Sequence, residues 1–161
     1  MKPLEGIEIR RMTASDLDHV LAIAKRLPQA PHWPQSAYLI AINPKSTPRR
    51  IALVAAGRNP GSILGFAIAS LLPPQSELET IAIAPKSQRL GLGQYLFQAL
   101  AAELKAAGVG QLVLEVRASN QPALAFYHAL GFAKTALRPG YYADPKEDAV
   151  LMSLPLAEKL S

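Results

Sequence analysis

Glu115 stands alone in an apolar run, Leu112-Val113-Leu114-Glu115-Val116. A carboxylate there is costly unless it faces a partner or a cleft, and one lining a cleft is placed to act as a general base. The alternative is a structural pair with Arg117 or Arg89. Two further carboxylates, Glu77 and Glu79, are spaced to share one face of a preceding strand, where a solvated strand end is the competing reading. Tyr127 offers a phenol as proton donor, although Leu124, Phe126 and Leu130 beside it also suit a core aromatic.

Between these groups lies Gln88-Arg89-Leu90-Gly91-Leu92-Gly93, a glycine turn that opens a helix. Glycines admit close backbone approach, and the free N–H groups and positive dipole end of a helix start favour an anion such as a pyrophosphate. No Gly-Lys-Ser/Thr follows, which excludes a P-loop, and Leu96 stands where a dinucleotide fingerprint needs its third glycine. The turn therefore predicts a different phosphate-bearing ligand.

The elements that must position these groups are readable from pattern. Residues 7–12 read as a strand, and Thr13-Ala14-Ser15-Asp16 has the form of a helix start, with Leu17, Val20, Leu21, Ala24 and Leu27 on one face. Five prolines interrupt residues 28–48, leaving a loop and one short helix over 35–42; whether this segment lines a cleft is open. Strands follow at 50–56 and 63–71 around a turn at 57–61. Then come a strand (76–83), a long helix (93–107), a strand (111–117), a short helix (121–130) stopped by Gly131, and strands at 133–137 and 149–154. The order β-α-α-β-β-β-α-β-α-β-β mixes an antiparallel meander with a parallel crossover and is α/β by class.

Composition narrows the chemistry. The 161 residues fit one domain, 1–161, with half of them hydrophobic and 18% charged. There is no cysteine, so thiolate nucleophiles and disulfides are excluded. His19, His32 and His128 lack metal-ligand spacing, and no Gly-x-Ser-x-Gly elbow accompanies them. The net charge of +5 suits an anionic ligand. Its local cluster, Lys45 with Arg49-Arg50, reads as a solvated loop rather than a DNA site. No signal-peptide pattern or membrane-length apolar run is seen, so a cytoplasmic protein without a membrane partner is expected.

The hexamer resembles the Gln/Arg-x-x-Gly-x-Gly/Ala motif of the Gcn5-related N-acetyltransferases (GNAT), and residues 112–120 and 122–132 resemble that superfamily's carboxy-terminal half. Arg138-Pro139-Gly140-Tyr141-Tyr142 with Glu147-Asp148-Ala149-Val150-Leu151-Met152 is similar to the RimI branch, the ribosomal-protein N-terminal acetyltransferases. The resemblance implies an α/β GNAT fold, a mixed sheet of about seven strands flanked by about four helices. It also implies acetyl-CoA as co-substrate with no metal. The backbone of Arg89, Leu90, Gly91, Leu92, Gly93 and Gln94 would hold the pyrophosphate. Ile81, Ala82 and Ile83 would pair along the pantetheine and Asn120 would hydrogen-bond it. Tyr127 would sit beside the sulfur as acid. Glu115 would accept the amine's proton, with Glu77 the base in other branches, and Trp33, Glu79, Tyr141 and Tyr142 would form the acceptor pocket. The implied acceptor is a protein N-terminus, a ribosomal protein's among them. A lysine or small amine, or a silent acyl-CoA-binding module, are the alternatives. Oligomeric state is not legible.

Overall fold

The computed structural model describes residues 4–27, 31–59, 61–88 and 90–156. The elements in chain order are β1 (Glu8–Arg11), α1 (Leu17–Lys25), α2 (Gln35–Ile42), β2 (Arg50–Ala56), β3 (Ile63–Ser70), β4 (Gln75–Ile83), α3 (Leu92–Ala106), β5 (Gln111–Arg117), α4 (Gln121–Ala129), β6 (Ala133–Ala143) and β7 (Lys146–Pro155). The strands form one mixed sheet in the order β1-β2-β3-β4-β5-β7-β6. Among the described residues no helix is long and apolar enough to cross a membrane.

The sheet is covered on both faces at its centre, which is why β2 and β3 are almost continuously apolar and buried. Leu92, Leu96, Leu100 and Leu104 recur every four residues along α3 and, with Phe97, pack into one core beside β2, β4 and β5. Leu17, Val20, Ile23 and Ala24 of α1 and Tyr38 of α2 meet Phe66 and Ile68 on the other face.

Two irregularities matter for function. Along β4, Thr80 pairs with Ile68 and Leu78 with Ala69, so Glu79 is an extra residue, a β-bulge that turns the strand. Its carboxylate is held by Arg50 of β2 at 2.7 Å, with both side chains largely buried. Just before this bulge the parallel pairing of β4 with β5 covers only Gln75, Glu77 and the residue between them, opposite 111–113. Beyond that point β4 stays with β3, β5 stays with β7, and a gap opens between them.

The second irregularity corrects the expected last strands. In place of short strands at 133–137 and 149–154, β6 and β7 form a long hairpin that carries the tyrosine pair inside it. Arg138 pairs with Ala149 and Tyr142 with Glu147, leaving residues 139–141 opposite Asp148 alone. The bulge absorbs Pro139, which has no N–H to give a ladder, and Gly140 at φ +64, whose N–H donates to the Asp148 carboxylate at 2.8 Å. A sequence pattern that stops strands at Pro-Gly misses this.

The turn into α1 is fixed by Asp16, 5% exposed, which accepts two hydrogen bonds from the Arg10 guanidinium, at 2.8 and 2.9 Å, and one from the Thr13 N–H at 2.8 Å. The Arg10 hydrogen bonds hold its carboxyl below the ordinary carboxylate range. Asp16→Ala is expected to cost about 1–3 kcal/mol, lowering Tm by about 2–10 °C in thermal denaturation at neutral pH. Because the folded-state pKa is depressed, this stabilisation is present above the ordinary carboxylate range. It is lost as pH falls through that range toward the lower folded value, so the wild-type advantage shrinks in acid.

Candidate active site

The glycine turn closes one end of the gap. The Gln88 side-chain amide donates to the Ile83 carbonyl at 3.0 Å and fastens the turn to the end of β4. Gly91 caps α3 in the left-handed region at φ +77, and a Cβ placed on it would meet nothing within 4 Å. Backbone conformation requires this glycine, and the space above it is open. The Tyr95 N–H bonds the Gly91 carbonyl at 3.0 Å. The N–H groups of Leu92, Gly93 and Gln94 precede that bond, at the positive end of a 15-residue helix. Gly93 has a different reason to be glycine: a Cβ there would lie 3.0 Å from the Phe126 ring. Leu90 is exposed, and Arg89 lies outside the described residues.

From this turn a pocket of about 290 Å³ runs between β4 and α4, lined by Ile81, Ala82 and Ile83 on one side and by Gly93, Phe126 and Tyr127 on the other. Leu27 and Pro31 also reach it, so the proline-rich segment borders the cleft. Asn120 caps α4 by accepting the Ala123 N–H at 3.2 Å. Tyr127 packs against Phe126 and Phe132, and burial pushes its phenol up to about 12.

Of the acceptor-side candidates, Glu115, Tyr141 and Tyr142 come together, whereas Trp33 does not join them. Glu115 is paired neither with Arg117, which bonds Glu147, nor with any β5 neighbour; its ion pair is with Arg138 of β6 at 3.2 Å. The Tyr141 hydroxyl also donates to Glu115, which raises the phenol above its usual range. The Tyr142 phenol is raised as well, first by desolvation and then by Glu115. Glu77 is pushed above the ordinary carboxylate range by desolvation and then by the charges of Glu79 and Glu115, while Arg50 pulls the other way. Among the described residues Glu77 is paired with no cation, whereas Glu79 and Glu115 each hold an arginine. Trp33 makes its ring contact with Tyr38, at 5.3 Å on the α1–α2 side of the sheet, rather than with the tyrosine pair.

A brace joins this cluster to the start of α4. The Glu147 carboxylate accepts the Ser119 N–H at 2.6 Å, just ahead of the Asn120 cap, and also faces the Arg117 guanidinium. That guanidinium lies 4.3 Å from the Tyr142 ring centre. Sequence reasoning did not select Phe126, Gln88 or Arg138. Phe126 had a signal, its place next to Tyr127 on a short helix, and Gln88 opens the glycine motif five residues from Ile83, but the contact of Arg138 depends on strands that meet only in the fold.

The acetyltransferase (GNAT) family model matches residues 17–132. The chain belongs to this family. It is 43% identical over 99 residues to the ribosomal protein bS18-alanine N-acetyltransferase of Escherichia coli strain K12, covering 60% of this chain and 67% of that protein. The crystal structure of the ribosomal-protein-S18-alanine N-acetyltransferase from Escherichia coli superimposes with a TM-score of 0.76 at 32% identity, over 96% of this chain and 98% of that one. Ard1 from Thermoplasma volcanium gives a TM-score of 0.79 at 26% identity, over 95% and 99%. The chain is thus a GNAT N-acetyltransferase, and members of this family use acetyl-CoA as acyl donor.

The chain's own residues fit that donor. An open glycine turn at a helix start suits the pyrophosphate, and an apolar slot along an unpaired stretch of β4 suits an extended amide-bearing arm. Gly91→Val places methyl groups in the open space above the turn. CoA affinity measured by calorimetry is expected to fall at least about tenfold. The left-handed backbone costs the β-branched side chain about 1–2 kcal/mol, so the fold survives with a modestly lower Tm. Unchanged CoA affinity in the folded variant removes the turn from the donor site.

Proposed function

We propose that this acetyltransferase transfers the acetyl group of acetyl-CoA to the α-amine of a protein N-terminus by direct attack in a ternary complex, the acceptor class named for its Escherichia coli relatives. The observation that carries this reading is the gathering of Tyr141 and Tyr142 around Glu115, whose carboxylate raises both phenols. Two adjacent aromatics, their rings 5.1 Å apart and nearly perpendicular, offer contact area for the first residues of a peptide at low entropy cost.

Acetyl-CoA supplies the activated thioester; the chain supplies orientation and proton handling. An α-amine, with an ordinary pKa near 8, is partly neutral at physiological pH and asks little of a base, whereas lysine near 10.4 asks more. Glu115 takes the amine's proton. The Tyr127 phenol at about 12 is too weak an acid for full transfer to a thiolate whose conjugate acid is near 8.5. The difference corresponds to about 5 kcal/mol. Tyr127 therefore acts as a hydrogen-bond donor toward the sulfur as charge develops there, and remains protonated throughout. A second reading makes Glu77 the base, favoured by its raised pKa and by its having no ion pair among the described residues.

Glu115→Gln is expected to lower kcat by about 10²-fold or more, with partial recovery at high pH where more amine is already neutral. A larger loss in Glu77→Gln than in Glu115→Gln selects the second reading. Tyr127→Phe should lower kcat by about ten- to hundredfold with little change in acetyl-CoA affinity, and wild-type turnover in that variant reduces Tyr127 to a packing residue.

The acceptor is tested by competition. A short peptide with a free, small first residue should exceed the same peptide blocked at its terminus but carrying lysine by at least about tenfold in kcat/KM. Equal rates, or activity confined to small amines, reject the N-terminal acceptor and leave the acetyltransferase.

A further inference from the structure

Glu115 is already holding a cation. Its side chain is 25% exposed, that of Arg138 is 54% exposed, and the guanidinium meets the carboxylate at 3.2 Å. The contact is not a neighbour-strand accident. Glu115 pairs with Leu151 of β7, which pairs with Ala136 of β6. Arg138 lies two residues further along β6, on the same face, and must reach across β7. Two strand spacings are about 10 Å, a span that needs a long side chain. The second partner of Glu115, the Tyr141 hydroxyl, comes from the same strand on the far side of the Pro139-Gly140 bulge. Among the described residues β6 thus delivers both groups that occupy the carboxylate.

An acceptor α-amine arrives mostly as an ammonium at neutral pH. A carboxylate has about four acceptor positions, so the ammonium can meet Glu115 beside both partners, in place of the tyrosine, or in place of the guanidinium, and charge decides among these. Exchanging guanidinium for ammonium keeps the carboxylate compensated at every stage, whereas either of the others crowds two cations onto one carboxylate. The departing guanidinium has a resting place, since it already lies 5.4 Å from the centre of the Tyr141 ring. A guanidinium cannot deprotonate in a protein and so cannot itself be acetylated, which makes arginine a safe occupant of this position.

We propose that Arg138 is the resident cation of the acceptor site: it holds the ammonium position at Glu115 in the free enzyme and yields it on acceptor binding. It is thereby a specificity-determining residue that sets acceptor affinity and favours acceptors arriving as cations. The proposal rests on the reading that the acceptor amine meets Glu115.

The test is steady-state kinetics with a peptide bearing a free N-terminus, at saturating acetyl-CoA, for wild type, Arg138→Gln and Arg138→Lys. An exposed ion pair is weak, so Arg138→Gln is expected to lower the peptide KM by about two- to fivefold. Acetyl-CoA KM should not move and kcat should not fall. Arg138→Lys, which keeps the charge, should keep a KM near wild type. In a Glu115→Gln background, Arg138→Gln should no longer change the peptide KM. A peptide KM that rises or stays constant in Arg138→Gln overturns the proposal, as does a fall in kcat at constant KM, which shows that Arg138 merely orients Glu115. A lysine variant as permissive as the glutamine variant also overturns it. No turnover of the peptide by wild type rejects the N-terminal acceptor and this proposal together, whereas turnover with an unimproved Arg138→Gln rejects this proposal alone.

Discussion

The site exists because β4 and β5 stop pairing after one short stretch of parallel ladder. A sheet normally satisfies every backbone donor and acceptor with its neighbour, so a gap between adjacent strands needs a cause. Here it is the bulge at Glu79, which adds one residue to β4 against β3 and turns the strand away. The largely buried ion pair to Arg50 pins that extra residue in place. Glu79, expected among the acceptor contacts, thus has its carboxylate committed to the scaffold that opens the cleft.

Each wall of the cleft is then built from elements anchored elsewhere. α3 is seated by its leucine stripe in the core, so its N-terminus and the turn at Gly91 are presented rigidly. Gly93 lets α3 approach the Phe126 ring, setting the distance between the two helices that flank the pocket. On the other side, the β6–β7 hairpin carries Arg138, Tyr141 and Tyr142, and the Glu147 brace ties it to the loop that begins α4. The donor wall and the acceptor wall therefore share a hinge of hydrogen bonds around Ser119 and Arg117.

The order of elements and the long helix were legible because their signals are local: period in the α3 leucines, a cap at Asn120, a left-handed glycine before Leu92. The glycine turn could be named for the same reason, and the tyrosine of the short helix through the resemblance of residues 122–132 to the family's carboxy-terminal half. What stayed illegible was set by pairing between distant segments. Pro139-Gly140 reads as a break in sequence, yet it is accommodated inside a strand because Asp148 receives the displaced N–H. Arg117 is the obvious neighbour for Glu115, two residues on and on the same face of β5, but its guanidinium is taken up by Glu147 and the Asp144 and Pro145 carbonyls, and the actual partner comes from two strands away. Trp33 lies in a segment whose prolines erase any period, and its contact with Tyr38 follows from the packing of α2.

The outer strand has a consequence for how copies of the molecule meet. β6 ends the sheet, and residues 133–141 are exposed along it, leaving one row of backbone groups available to any passing strand. Two copies approaching along this edge would bring Lys134 and Arg138 of each against those of the other, and Pro139 would bring no donor to a new ladder. On a chain of net charge +5 this like-charge facing discourages edge-to-edge self-association, so the strand that carries the tyrosine pair can stay uncovered without inviting aggregation.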